Sequence, residues 1–106
     1  MRIGIHLGDS GYANLGQILN LAGRPEEAIA ALKKTLSFYP NLPVAHAELA
    51  VTYNEIGREE EARAELGEFL RINPSASLEK AKQGVPYKDP ADLERYVDGL
   101  RKAGLK

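Results

Sequence analysis

Residues 54–74, NEIGREEEARAELGEFLRINP, repeat the pattern of residues 20–40, NLAGRPEEAIAALKKTLSFYP, at a spacing of 34 residues. The shared letters are an asparagine, a Gly-Arg pair, a Glu-Glu-Ala run, a further alanine, two leucines and a closing proline. Because they extend across most of the period, we interpret the two segments as internal repeats. Periods of this length are typical of stacked helical units.

Each period is interpreted as two helices joined by a tight turn. Gly23 and Gly57 stand where the first helix must end, because glycine adopts positive φ without steric cost. The acidic residues that follow favour the N-terminus of a second helix, where they face the positive end of the helix dipole. Pro40 and Pro74 then end that helix.

Apolar residues recur at spacings of three and four, which predicts helices with one packed face. Small residues stand where two helices must approach closely. The pattern resembles the tetratricopeptide repeat over residues 9–76, although His46 stands where that family often has a large aromatic residue and Thr35 where it favours alanine. The residues that carry the resemblance are Tyr12, Leu15, Gly16, Leu19, Ala28, Leu32, Pro40, Leu49, Ala50, Tyr53, Ala62, Leu66, Phe69 and Pro74.

The resemblance implies an all-α fold, in which helical hairpin repeats of the tetratricopeptide type form a right-handed α-solenoid. After Pro74 the period decays, but Asp89 and Pro90 predict the start of a last helix and Gly104 its end. A helix with a polar outer face can cover the end of a solenoid, so we expect a C-terminal capping helix. The predicted division is an arm, strand-like or disordered, at 1–8, repeat 1 at 9–42, repeat 2 at 43–76, and a partial third repeat with the capping helix at 77–106.

In the family that the chain resembles, the first helix of each repeat lines a concave face. Asn20 and Asn54 lie one repeat apart, and each amide group could donate to and accept from the backbone of an extended peptide. Simple solvent exposure of these side chains is the alternative interpretation. The resemblance therefore predicts a peptide-binding face made of Ala13, Gln17, Asn20, Glu48, Val51 and Asn54.

The two ends carry a second resemblance. Ile3, Ile5 and Leu7 alternate with small or polar residues, which is strand periodicity, and RIGIHLGD resembles a segment in the catalytic domain of class III adenylate and guanylate cyclases. The tail YKDPADLERYVDGLRKAGL is similar to the end of bacterial cyclases that carry tetratricopeptide repeats. This suggests, as an alternative function, a self-associating regulatory fragment of such a cyclase.

Almost all of the cyclase catalytic domain is missing, including its metal-binding aspartates and the asparagine and arginine for its transition state. We therefore predict a non-catalytic module for protein–protein interaction, with a protein or peptide as its partner. The apolar residues of the arm could also support a homodimer through the N-terminal end.

Composition excludes several other classes. The chain has no cysteine. Its 14 basic and 15 acidic residues give a net charge of -1 without a long block of either sign, so nucleic acid is not expected as a partner. No apolar run approaches the roughly 20 residues that span a bilayer, so a cytoplasmic protein without membrane contact is expected. His6 and His46 lack neighbours at ligand spacing, so neither a metal nor a cofactor is expected.

Overall fold

The computed structural model describes residues 23–83 and 89–106, and this part of the chain contains five α-helices and no strand. The all-α prediction is confirmed for these residues. The N-terminal arm and the predicted first helix of repeat 1 lie outside them. The helices are α1 (Pro25–Phe38), α2 (Pro43–Glu55), α3 (Glu59–Ile72), α4 (Leu78–Gln83) and α5 (Pro90–Ala103).

The helix starts follow from proline and from one capping side chain. Pro25, Pro43 and Pro90 occupy the first turns of α1, α2 and α5, where a missing backbone N–H costs no hydrogen bond. The carboxylate of Asp89 accepts a hydrogen bond from the Ala91 N–H at 2.9 Å and so satisfies one of the free donors of α5. The N-cap predicted from the sequence is therefore confirmed.

The turn between α2 and α3 has the expected left-handed glycine. Gly57 has a φ of 82°, and Gly23 one period earlier has a φ of 76°. At this turn the Arg58 N–H donates to the Tyr53 carbonyl at 2.8 Å, and the Gly57 N–H donates to the Asn54 carbonyl at 3.2 Å. These bonds satisfy carbonyls that the end of α2 leaves free.

Helix α2 lies at the centre of the described core. It packs against α3 on one side and α1 on another, and every residue from Ala45 to Tyr53 is buried. Ala50 of α2 and Ala62 of α3 have no exposed surface, and their small side chains let the two helices approach closely. A helix buried over most of its circumference must be covered on several sides, and α5 provides one of these covers.

The third period begins in register but does not continue. Helix α4 starts at Leu78, close to one period after the start of α2, and ends at Gln83. Helix α5 then packs mainly on α2 and only secondarily on α3 and α4. Its buried face consists of Tyr96, Gly99, Leu100 and Ala103.

Candidate functional site

Only half of the peptide-binding face predicted from the resemblance falls within the described residues. Ala13, Gln17 and Asn20 lie outside them. Glu48, Val51 and Asn54 all lie on α2, in the central part of the fold. The geometry of these three side chains therefore decides what the described part of this face can contact.

Val51 lies directly beneath α5. A Cβ atom on Gly99 would come within 2.8 Å of Val51 Cγ1 and 3.2 Å of Val51 Cα, so the two helices cross here at nearly the closest approach their backbones allow. Val51 accordingly has no exposed surface. A peptide could reach it only if α5 moved away.

Glu48 is also fully buried, one helical turn before Thr52. The Thr52 hydroxyl donates to the Glu48 carbonyl at 2.8 Å, which occupies that hydroxyl within the helix. Tyr96 of α5 lies close by: burial raises the pKa of its hydroxyl, and the negative charge of Glu48 raises that pKa further. Glu48 therefore belongs to the contact between α2 and α5.

Asn54 has a different environment near the C-terminal end of α2, where it is half-buried. The adjacent Glu55 accepts a hydrogen bond from Arg95 of α5 at 2.5 Å, and both side chains of this ion pair are about one third exposed or less. Among Glu48, Val51 and Asn54, only Asn54 therefore offers side-chain surface to a partner.

The repeated Arg-x-x-Glu pattern has a structural role. Arg58 forms an ion pair with Glu61, Arg24 forms the equivalent pair with Glu27 one repeat earlier, and all four side chains are substantially exposed. The Arg58 guanidinium also lies 4.9 Å from the centre of the Tyr53 ring, within range of a cation–π contact. The hydrogen bond from Arg58 lowers the pKa of Glu61. These contacts fix the start of each second helix.

His46 is a buried polar residue whose hydrogen-bond partners could not be predicted from the sequence. Its Nε2 lies 2.8 Å from the Pro40 carbonyl, which can only accept, so Nε2 carries a proton. Its Nδ1 lies 2.7 Å from the Glu65 carboxylate of α3. One buried imidazole thus ties the loop before α2 to α3, which explains why a polar residue is tolerated at a position where the family often has an aromatic one.

Sequence reasoning missed the residues that join α5 to α2, namely Gly99 and Arg95. Gly99 did carry a signal, because a glycine inside a helical pattern costs about 1 kcal/mol relative to alanine and often marks a close approach. The partner of that approach could not be read from the sequence, since α2 and α5 are separated by more than one repeat.

Within residues 23–83 and 89–106, no group of three or more histidine, cysteine, aspartate or glutamate side chains is placed to hold a metal ion. None of the helices in the same ranges is long and apolar enough to cross a membrane.

Comparison with known proteins agrees with the helical hairpins. The family model described as the tetratricopeptide repeat matches residues 19–85, which is more than half of the chain. No curated protein sequence matches the chain. Neither comparison supports the resemblance of the two ends to cyclases. With its 34-residue register, its glycine turns and this match, the chain belongs to the tetratricopeptide repeat family.

Proposed function

We propose that the chain is a non-catalytic interaction module that binds a peptide or protein segment along the first helices of its repeats, at Asn20 and Asn54. Tetratricopeptide repeats generally mediate protein–protein interaction and are typically not catalytic, which supports the proposal at the level of the family. One observation supports this position for the binding site. Asn54 at the end of α2 is half-buried and can contact a partner, whereas Glu48 and Val51 on the same helix have no exposed surface.

The chemistry near Asn54 favours a partner without strong charge. An amide side chain can donate to and accept from a peptide backbone, so it can hold an extended segment without regard to its side chains. Glu55 is paired with Arg95, so the two charges next to Asn54 offset one another. The Glu48 carboxylate, which could have repelled an acidic segment from an open groove, is buried beneath α5.

The alternative function, a self-associating regulatory fragment of a cyclase-like protein, depends on residues 2–9 and 87–105. Both segments lie outside the family match at residues 19–85. In the described part of the second segment, Tyr96, Leu100 and Ala103 are buried residues of the same core as α2. These residues therefore have a packing role within the repeat module, which favours the interaction module over the cyclase-related alternative.

A displayed library of random dodecapeptides tests the proposed function. We expect the full chain to enrich peptides whose affinity, measured by calorimetry, falls at least roughly tenfold in the Asn20→Ala, Asn54→Ala double variant, since losing two backbone-binding amides removes hydrogen bonds of about 1 kcal/mol each. Gln83→Ala is the matched control, because Gln83 also carries an amide group and is exposed at the end of α4. Peptides that bind the double variant as tightly as the native chain would refute the assignment to Asn20 and Asn54. A library that yields no binder would refute the function.

A further inference from the structure

The buried imidazole ring of His46 forms two polar contacts that a neutral ring cannot satisfy together. Its Nε2 lies 2.8 Å from the Pro40 carbonyl, and its Nδ1 lies 2.7 Å from Oε1 of Glu65. A carbonyl oxygen and an ionised carboxylate can only accept hydrogen bonds, whereas a neutral imidazole has a single N–H group. Either tautomer of the neutral ring would therefore direct one nitrogen lone pair at an oxygen lone pair.

The doubly protonated ring removes this conflict, because it donates from both nitrogens. Its surroundings make the second donor necessary. The His46 side chain is only 9% exposed, so water cannot take the place of a missing hydrogen bond there. The Glu65 side chain is 22% exposed, and its carboxylate thus keeps part of its hydration, as an ionised group requires. The geometry calls for one more proton than a neutral histidine carries.

The charged groups around the ring leave Glu65 as its partner. On its own helix, the nearest carboxylate along the chain is that of Glu48, which lies beside Tyr96 of α5 and raises the pKa of the Tyr96 hydroxyl. Within residues 23–83 and 89–106, no charged side chain of α1 or α5 forms an ion pair with His46. The second proton of the ring is therefore held by one contact, with α3.

We propose that this proton makes the junction between the two repeats sensitive to pH. The pair of His46 and Glu65 joins α2 to α3, and through the Pro40 carbonyl it also holds the loop between α1 and α2. Above the range in which free histidine is protonated, the folded chain binds more protons than the unfolded chain, so stability falls as the pH rises. Arg71 of α3 donates to Asn41 of the same loop at 2.9 Å, and its guanidinium stays charged, so the loop keeps this second attachment.

Urea denaturation of the full chain at about pH 6 and about pH 9 tests the proposal against Glu65→Gln. The glutamine amide donates an N–H to Nδ1 without a titrating proton, so a neutral ring keeps both hydrogen bonds in this variant. Between the two pH values, the unfolding equilibrium constant of the native chain should rise at least roughly tenfold more than that of the variant. The other titrating groups are present in both chains and contribute equally. Glu60→Gln, the same charge change at an exposed position of α3, should follow the native chain.

Nuclear magnetic resonance of the ring nitrogens provides a second readout that is independent of how well Glu65→Gln folds. In the His6→Ala chain, His46 is the only histidine. At about pH 7.5, where a histidine in open water is mostly neutral, we expect both of its ring nitrogens to carry a proton. A neutral tautomer at this pH would overturn the proposal, and so would native and Glu65→Gln chains whose stabilities change equally with pH. Neither measurement involves the proposed peptide binding at Asn54.

Discussion

Gly99→Ala is expected to lower the free energy of unfolding by roughly 1–3 kcal/mol, although alanine is the better helix former by about 1 kcal/mol. The added methyl group would lie 2.8 Å from Val51 Cγ1 and 3.2 Å from Val51 Cα. The Cγ atom can turn aside, but the Cα atom belongs to the backbone, so relief requires α5 to move away from α2. Urea denaturation followed by circular dichroism measures the loss.

Gly67→Ala is the matched control for this prediction. Gly67 lies on the exposed side of α3, and a Cβ atom there would meet no atom within 4 Å. This change should stabilise the chain by about 1 kcal/mol through helix propensity alone. Val51→Ala in the Gly99→Ala background should cost less than the sum of the two single changes, because it removes the overlapping methyl groups. A Gly99→Ala chain that is as stable as Gly67→Ala would contradict the close crossing of α2 and α5.

Gly57→Val is expected to destabilise the chain by roughly 2–3 kcal/mol and to lower its helicity on heating. The φ of Gly57 is 82°, a conformation that is strongly disfavoured for a β-branched residue. A Cβ atom at this position would meet nothing within 4 Å, so the whole cost comes from the backbone and none from crowding. Thermal melts of the native and variant chains report the difference.

The control for Gly57 is the same substitution on α3. Gly67→Val should change stability by no more than about 0.5 kcal/mol, because valine and glycine are both modest helix formers and the position is open. If both variants melted at the native temperature, the turn between α2 and α3 would not need a left-handed residue. The interpretation of the 34-residue register as a glycine-terminated hairpin would then fail.

Local features of the fold could be predicted because each has a local cause. The positive φ of Gly57, the cap at Asp89 and the end of α5 at Gly104 depend on residues within one turn of the chain, and the structure agrees with all three. The helical hairpin also follows from the sequence, since the second repeat confirms the pattern of the first.

The closed state of Glu48 and Val51 could not be predicted in the same way. Their positions along α2 followed from the register, but their exposure depends on α5, whose packing no repeat specifies after Pro74. The sequence predicted a partial third repeat followed by a capping helix, but it did not indicate that this last helix would lie on α2 over Val51. Contacts between distant segments of this kind are set by packing, and a period of 34 residues contains no information about them.

The reactivity of a single cysteine at position 51 tests most directly whether α5 closes this part of the first-helix face. The chain contains no cysteine, so Val51→Cys introduces the only thiol, and Glu60→Cys provides an exposed control. We predict that a small maleimide modifies Cys at position 51 of the folded chain at least about a thousandfold more slowly than the control, since access would require opening of the core. A rate close to that of the control would show that the face is open and would contradict the packing of α5 on α2.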